Sequence, residues 1–90
     1  MEGYSEEMLA KEIAVAQALA AGDRERFEEL GRDLTMMGAV DCSVCGTMLR
    51  YHYLDGWVHE EPGLDHDGRP NRIGLEWPEG LPKLGGHTAH

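Results

Sequence analysis

Cys42-Ser43-Val44-Cys45-Gly46 holds both cysteines of this 90-residue chain. Two thiolates two residues apart can reach one ion from a tight turn, and a glycine after the second relieves the backbone as it leaves. Thirteen residues separate Cys45 from His59, and six separate His59 from His66. Zinc takes four S or N ligands in a tetrahedron, with Zn–S about 2.3 Å and Zn–N about 2.0–2.1 Å. The expected ligand set is therefore Cys42, Cys45, His59 and His66, around one structural Zn2+. His52 is the main substitute for the fourth position and Asp65 a weaker one.

The intervening residues give these side chains a way to meet. Thr47-Met48-Leu49-Arg50-Tyr51-His52-Tyr53 is rich in strand formers, and Asp55-Gly56 is a hairpin turn signal. Trp57-Val58-His59 then returns as a second strand and carries His59 back towards the cysteines. The Pro62-Gly63 turn brings His66 round to close the site. By strand alternation His52 shares a face with Arg50 and Leu54.

Upstream, residues 1–40 read as an antiparallel helical hairpin. Ser5 is the N-cap, with Glu6 and Glu7 in the first turn. Leu9, Ile13, Ala16 and Ala20 form the expected buried stripe, widened by Val15 and Leu19. Gly22 is a left-handed C-cap and Asp23 the next N-cap, which leaves almost no loop. The second helix is expected from about residue 24 to residue 37, with Phe27, Leu30, Leu34 and Met37 inward. Arg24/Glu28 and Glu28/Arg32 can pair one turn apart. Gly31, which costs about 1 kcal/mol against Ala inside a helix, marks a close helix crossing. Gly38 ends the element.

Downstream, four prolines and many of the twelve glycines break residues 61–90 into an irregular tail. Ile73, Leu75, Trp77, Leu81 and Leu84 give it enough apolar surface to lie on the domain. Its end, Gly85 to His90, is expected to fray, so His87 and His90 are poor ligands. The fold class that results is α+β in one compact unit: a helical hairpin over 1–40, a zinc-stapled β-hairpin over 41–70, and a tail over 71–90.

Composition narrows the function. Eight Lys+Arg against seventeen Asp+Glu give a net charge of -9, and the deficit is shared by both halves of the chain. Nucleic-acid binding draws on Lys/Arg meeting phosphate, so this field suits a basic protein partner better. No apolar run approaches the ~18 residues of a membrane span. The N-terminal stretch is acidic where a secretory signal is basic. Reduced cysteines point to an intracellular, cytoplasmic setting. Zinc binding supplies about 10–16 kcal/mol of apparent free energy, which offsets the thin apolar content of residues 41–70.

Around residues 41–67 the chain resembles a zinc-ribbon or rubredoxin-like zinc-knuckle module of small actinobacterial or phage-borne proteins. The likeness rests on Cys42-x-x-Cys45-Gly46, Trp57-Val58-His59 and Asp65-His66. In a ribbon the second half is another Cys-x-x-Cys, whose place His59 and His66 take here. A two-histidine DNA-reading finger would set its histidines on a helix three to five residues apart, which the turns forbid. His59-Glu60-Glu61 contains a deaminase-like His-x-Glu, but the Cys-x-x-Cys that should follow the histidine precedes it. A redox dithiol would need a helix starting at the first cysteine.

The reading is thus a non-enzymatic protein acting through protein–protein contact. The resemblance suggests a phage or bacterial regulator of a host protein. Tyr51, Tyr53, Trp57 and Trp77 either anchor that contact or, with one Phe in the chain, supply its core. Two alternatives stand beside it. One is nucleic-acid or transcription-machinery binding through Arg50, Arg69, Arg72 and Lys83. The other is an assembly component joined through the helical hairpin.

Overall fold

The computed structural model describes residues 4–63 and 65–84, so the expected fraying beyond Leu84, with His87 and His90, lies outside the described residues. Helix α1 spans Glu6–Ala21 and α2 spans Arg24–Thr35. Three strands follow, β1 (Ala39–Asp41), β2 (Met48–His52) and β3 (Gly56–His59), in one antiparallel sheet of order β1-β2-β3. The architecture is α+β, a helical hairpin laid on a small sheet. Among the described residues no helix is long and apolar enough to cross a membrane.

Local chemistry explains the helix boundaries. The Ser5 hydroxyl accepts from the Met8 N–H at 3.2 Å, and Asp23 accepts from the Arg26 N–H at 3.2 Å. Gly22 takes φ 73°, where a Cβ would be strained, and its N–H reaches back to the carbonyls of Ala18 and Leu19. With so short a connection, α2 can only fold back along α1. It ends at Thr35, two residues before the expected end, where the Met37 N–H turns to the Leu34 carbonyl at 3.0 Å and Gly38 takes φ 111°. Arg24 and Arg32 both pair with Glu28, at 3.6 and 3.8 Å.

The buried face of α1 differs from the expected stripe. Met8, Glu12, Val15, Ala16 and Ala18 are buried, whereas Leu9 and Ile13 are half-buried and Leu19 and Ala20 are exposed. The helix is turned by about one residue, ~100°. The cause is Glu12, a fully buried carboxylate in the centre of that face, which an apolar pattern counts as solvent-facing.

The sheet supplies the other half of the core. Val40, Leu49, Tyr51 and Trp57 face Met8, Val15 and Leu34 in one cluster that also contains Tyr4 and Cys42. Val40 opposes Leu49, and Tyr51 opposes Trp57 with ring centroids 5.3 Å apart, edge to face. These two rings are core, not surface; Tyr53 and Trp77 are half-buried. Gly31 does mark a close approach, but to the sheet side: a Cβ there would lie 2.9 Å from Tyr53 Cβ. β1, three residues long, is too short to announce itself by alternation.

Residues beyond β3 are strapped down. The Ser43 N–H donates to the Arg69 carbonyl at 2.7 Å and the Asn71 N–H to the Asp41 carbonyl at 2.9 Å, around a Cys42–Pro70 bridge. Gly68 is buried in this strap, and a Cβ there would lie 2.6 Å from the Trp57 carbonyl oxygen and 2.9 Å from Leu49 Cδ2. The first is backbone and the second is the tip of the fully buried Leu49 side chain, so Gly68→Ala is expected to destabilise the fold by about 1–3 kcal/mol through overpacking. Urea midpoints of the two proteins measure it, and equal midpoints would contradict the close packing.

Candidate metal centre

Each of the four expected ligands is placed by a different piece of the fold. Cys42 directly follows β1; its N–H donates to the Thr47 carbonyl at 2.8 Å, and its carbonyl accepts from the Gly46 N–H at 2.9 Å. These two bonds close the knuckle, with Gly46 at φ 77°. Cys45 projects from the exposed side of that turn, and the Thr47 hydroxyl lies 2.9 Å from its Sγ. His59 is the last residue of β3, opposite Leu49 on β2. His66 comes from the loop that the Ser43–Arg69 and Asp41–Asn71 bonds hold against the knuckle.

The structure brings these four side chains together. Their ligand atoms all lie within 4.8 Å of one another. His66 Nε2 is 3.6 Å from Cys42 Sγ, and His59 Nε2 is 3.6 Å from Cys45 Sγ. The two imidazoles meet edge to face at 4.7 Å between centroids. A zinc tetrahedron with ordinary bond lengths has S···N edges of about 3.6 Å, an S···S edge of about 3.8 Å and an N···N edge of about 3.3 Å. Two of the four S···N separations already match, and no other pair needs to close by more than about 1.5 Å. This Cys2His2 group can hold one metal ion, and its donor set suits zinc.

Neighbouring groups favour that use. Burial pushes the Cys42 thiol up, but hydrogen bonds from the backbone at Arg69, Cys45 and Val44, with His59 beside it, outweigh burial and bring it down to about 5. Cys42 is therefore a thiolate at neutral pH, the form that binds metals. His66 is held above the usual imidazole range by Cys42 first, then by Cys45 and Asp65. Asp65 Oδ1 sits 3.4 Å from His66 Nδ1, the side of the ring turned away from the sulfurs. Asp65 thus orients an imidazole, the usual support for a metal-bound histidine.

His52 stands elsewhere. It stacks on Tyr53 at 5.2 Å, accepts from the Leu54 N–H at 3.2 Å and faces Asp55 Oδ2 at 3.6 Å. The Thr47 hydroxyl beside Cys45 is the supporting group that sequence reading missed, because in the chain it reads only as a strand former.

Acid should empty the site. The folded Cys42 thiol titrates near 5 against an ordinary value of 9.0. Its ionisation therefore contributes stability that is fully present above the ordinary value and is lost as pH falls through about 5. Metal retention followed with a colorimetric chelator is expected to hold at pH 7 and collapse towards pH 5. Full retention at about pH 4 would contradict a site held by thiolate and imidazole ligands.

Compared with known protein families, curated proteins and solved structures, the chain matches none of them.

Proposed function

We propose that this protein is a zinc-stapled interaction module: one Zn2+ held by Cys42, Cys45, His59 and His66 fixes the sheet, and the outer surface meets another protein. The observation that carries the metal half is the matched pair of 3.6 Å sulfur–nitrogen separations. A four-ligand protein site leaves no position for water, which is the arrangement of structural rather than catalytic zinc. When bound, the ion would supply cross-linking of the knuckle, β3 and the following loop.

Three features support the protein-contact half. The net charge of -9 disfavours phosphate partners. Of the four cations a nucleic acid would need, Arg72 is bound to Glu12 and Arg50 to Glu60 at 3.1 Å. Val44 and Met48, flanking Cys45, expose 57% and 52% of their surface, an apolar rim beside the metal that a partner would cover. The resemblance to phage-borne and bacterial zinc knuckles suggests a regulatory contact in the cytoplasm.

Metal analysis of the purified chain tests the first half, with one zinc per chain expected and loss on Cys45→Ser. Less than one-tenth of an equivalent in a folded, thiol-reduced sample would overturn it. For the second half, a protein captured from host lysate should be lost with Val44→Asp while zinc remains at one equivalent. Capture indifferent to Val44→Asp and Met48→Asp would defeat that surface.

A further inference from the structure

Five of the eight basic side chains sit in ion pairs with carboxylates: Lys11, Arg24, Arg32, Arg50 and Arg72. Among the described residues Arg26, Arg69 and Lys83 have no such partner, although the chain carries seventeen Asp+Glu. Arg69 and Lys83 both line one cavity of about 510 Å3, together with Arg72. No acidic side chain lines it among the described residues. In a protein this acidic, so local a concentration of positive charge is a built feature rather than an average one.

The remaining walls say what kind of anion fits. Ser43 and Asn71 add neutral hydrogen-bonding groups. The Asn71 side-chain oxygen accepts from the Ile73 N–H at 3.1 Å, so its amide nitrogen remains as a donor. Trp77 forms a fixed apolar wall: its indole N–H donates to the Leu81 carbonyl at 2.6 Å, and the Arg72 guanidinium covers its ring at 4.8 Å. Arg72 has its charge balanced by Glu12, which leaves Arg69 and Lys83 as the two free charges. The volume lies within the about 300–1,000 Å3 of small-molecule sites.

We infer that this cavity binds a small organic anion, a carboxylate joined to an aromatic or branched apolar group. The carboxylate meets Arg69 and Lys83 in charge-assisted hydrogen bonds, and the apolar part lies on Trp77. A polyanion is the poorer fit, because the surrounding field of net charge -9 repels its remaining charges. The walls include none of the four metal-site side chains, so the site does not depend on the identity of the ion.

Phenylacetate is the probe, titrated into the full chain as purified and followed by amide and indole N–H resonances. Saturable shifts are expected at Trp77 Nε1–H and Asn71, with Trp57 unmoved. Arg69→Gln and Lys83→Gln, both exposed in the free protein, should each weaken binding at least threefold and together at least tenfold. Their unshifted Trp57 resonance will show that the fold is kept. Phenylacetamide should bind at least tenfold more weakly, since it lacks the charge. Equal binding of phenylacetamide, or of the double variant, would overturn the proposal. So would inorganic phosphate binding as tightly as phenylacetate, which would make the cavity a simple counter-ion site.

Discussion

On the proposed zinc staple, removing the ion with a chelator is expected to abolish cooperative thermal unfolding, not merely to shift its midpoint. Net stabilities of domains are about 5–15 kcal/mol, whereas structural zinc contributes about 10–16 kcal/mol of apparent binding free energy. Removal of the larger quantity leaves nothing to hold the smaller. The layout of the core makes the loss global. Cys42 belongs to the same buried cluster as Leu34, Val40, Leu49, Tyr51 and Trp57, so releasing the knuckle uncovers the surface on which α2 rests. Near-ultraviolet circular dichroism from the Tyr51–Trp57 pair should disappear with the metal. Cys42→Ala should behave like the apoprotein, and His66→Ala, on a loop with its own hydrogen-bonded strap, should retain weak metal binding. An apoprotein with the melting curve of the purified chain would remove the staple from the account.

Much of this arrangement is legible in the chain because it depends on short-range signals. Ser5, Gly22 and Asp23 are caps whose chemistry acts within four residues, and the hairpin they dictate is observed. Asp55-Gly56 fixes the β2–β3 turn, with Gly56 at φ 81°, and this sets His59 on the end of β3. The Cys2His2 group is legible for a related reason: few other arrangements use two thiols at that spacing followed by two imidazoles.

What escaped the reading acts over long separations. Val40 pairs with Leu49 across the knuckle, so nothing near Val40 marks it as a strand. Gly31 reveals that it is close to something, and only the tertiary fold says that the neighbour is Tyr53. Arg72 reads as a free cation in an irregular tail, and Glu12 as one more acid on an amphipathic helix. Sixty residues separate them, and neither has a local pattern that names the other.

That pair carries the second large effect. Glu12 is fully buried and accepts from four donors: the Tyr4 hydroxyl, Trp57 Nε1 at 3.0 Å, Arg72 Nε at 3.2 Å and Arg72 Nη2 at 2.6 Å. Among the described residues no buried side-chain nitrogen or oxygen lacks a partner. All four partners donate, so the position requires a group that only accepts, which an ionised carboxylate is. Glu12→Gln keeps the shape but turns an N–H2 towards donors and leaves Arg72 without its counter-charge. Removing one partner of a buried pair costs about 3–5 kcal/mol. In a chain this size each kcal/mol lowers the melting midpoint by about 4–8 °C, so a fall of at least about 12 °C is expected. Arg72→Met alone should also destabilise, since it strands Glu12. The double variant Glu12→Leu, Arg72→Met removes both charges, and it should be less damaging than the sum of its parts by more than about 1.5 kcal/mol. Additivity across this cycle would mean that the two side chains act independently, and that the tail is held to α1 by its apolar contacts alone.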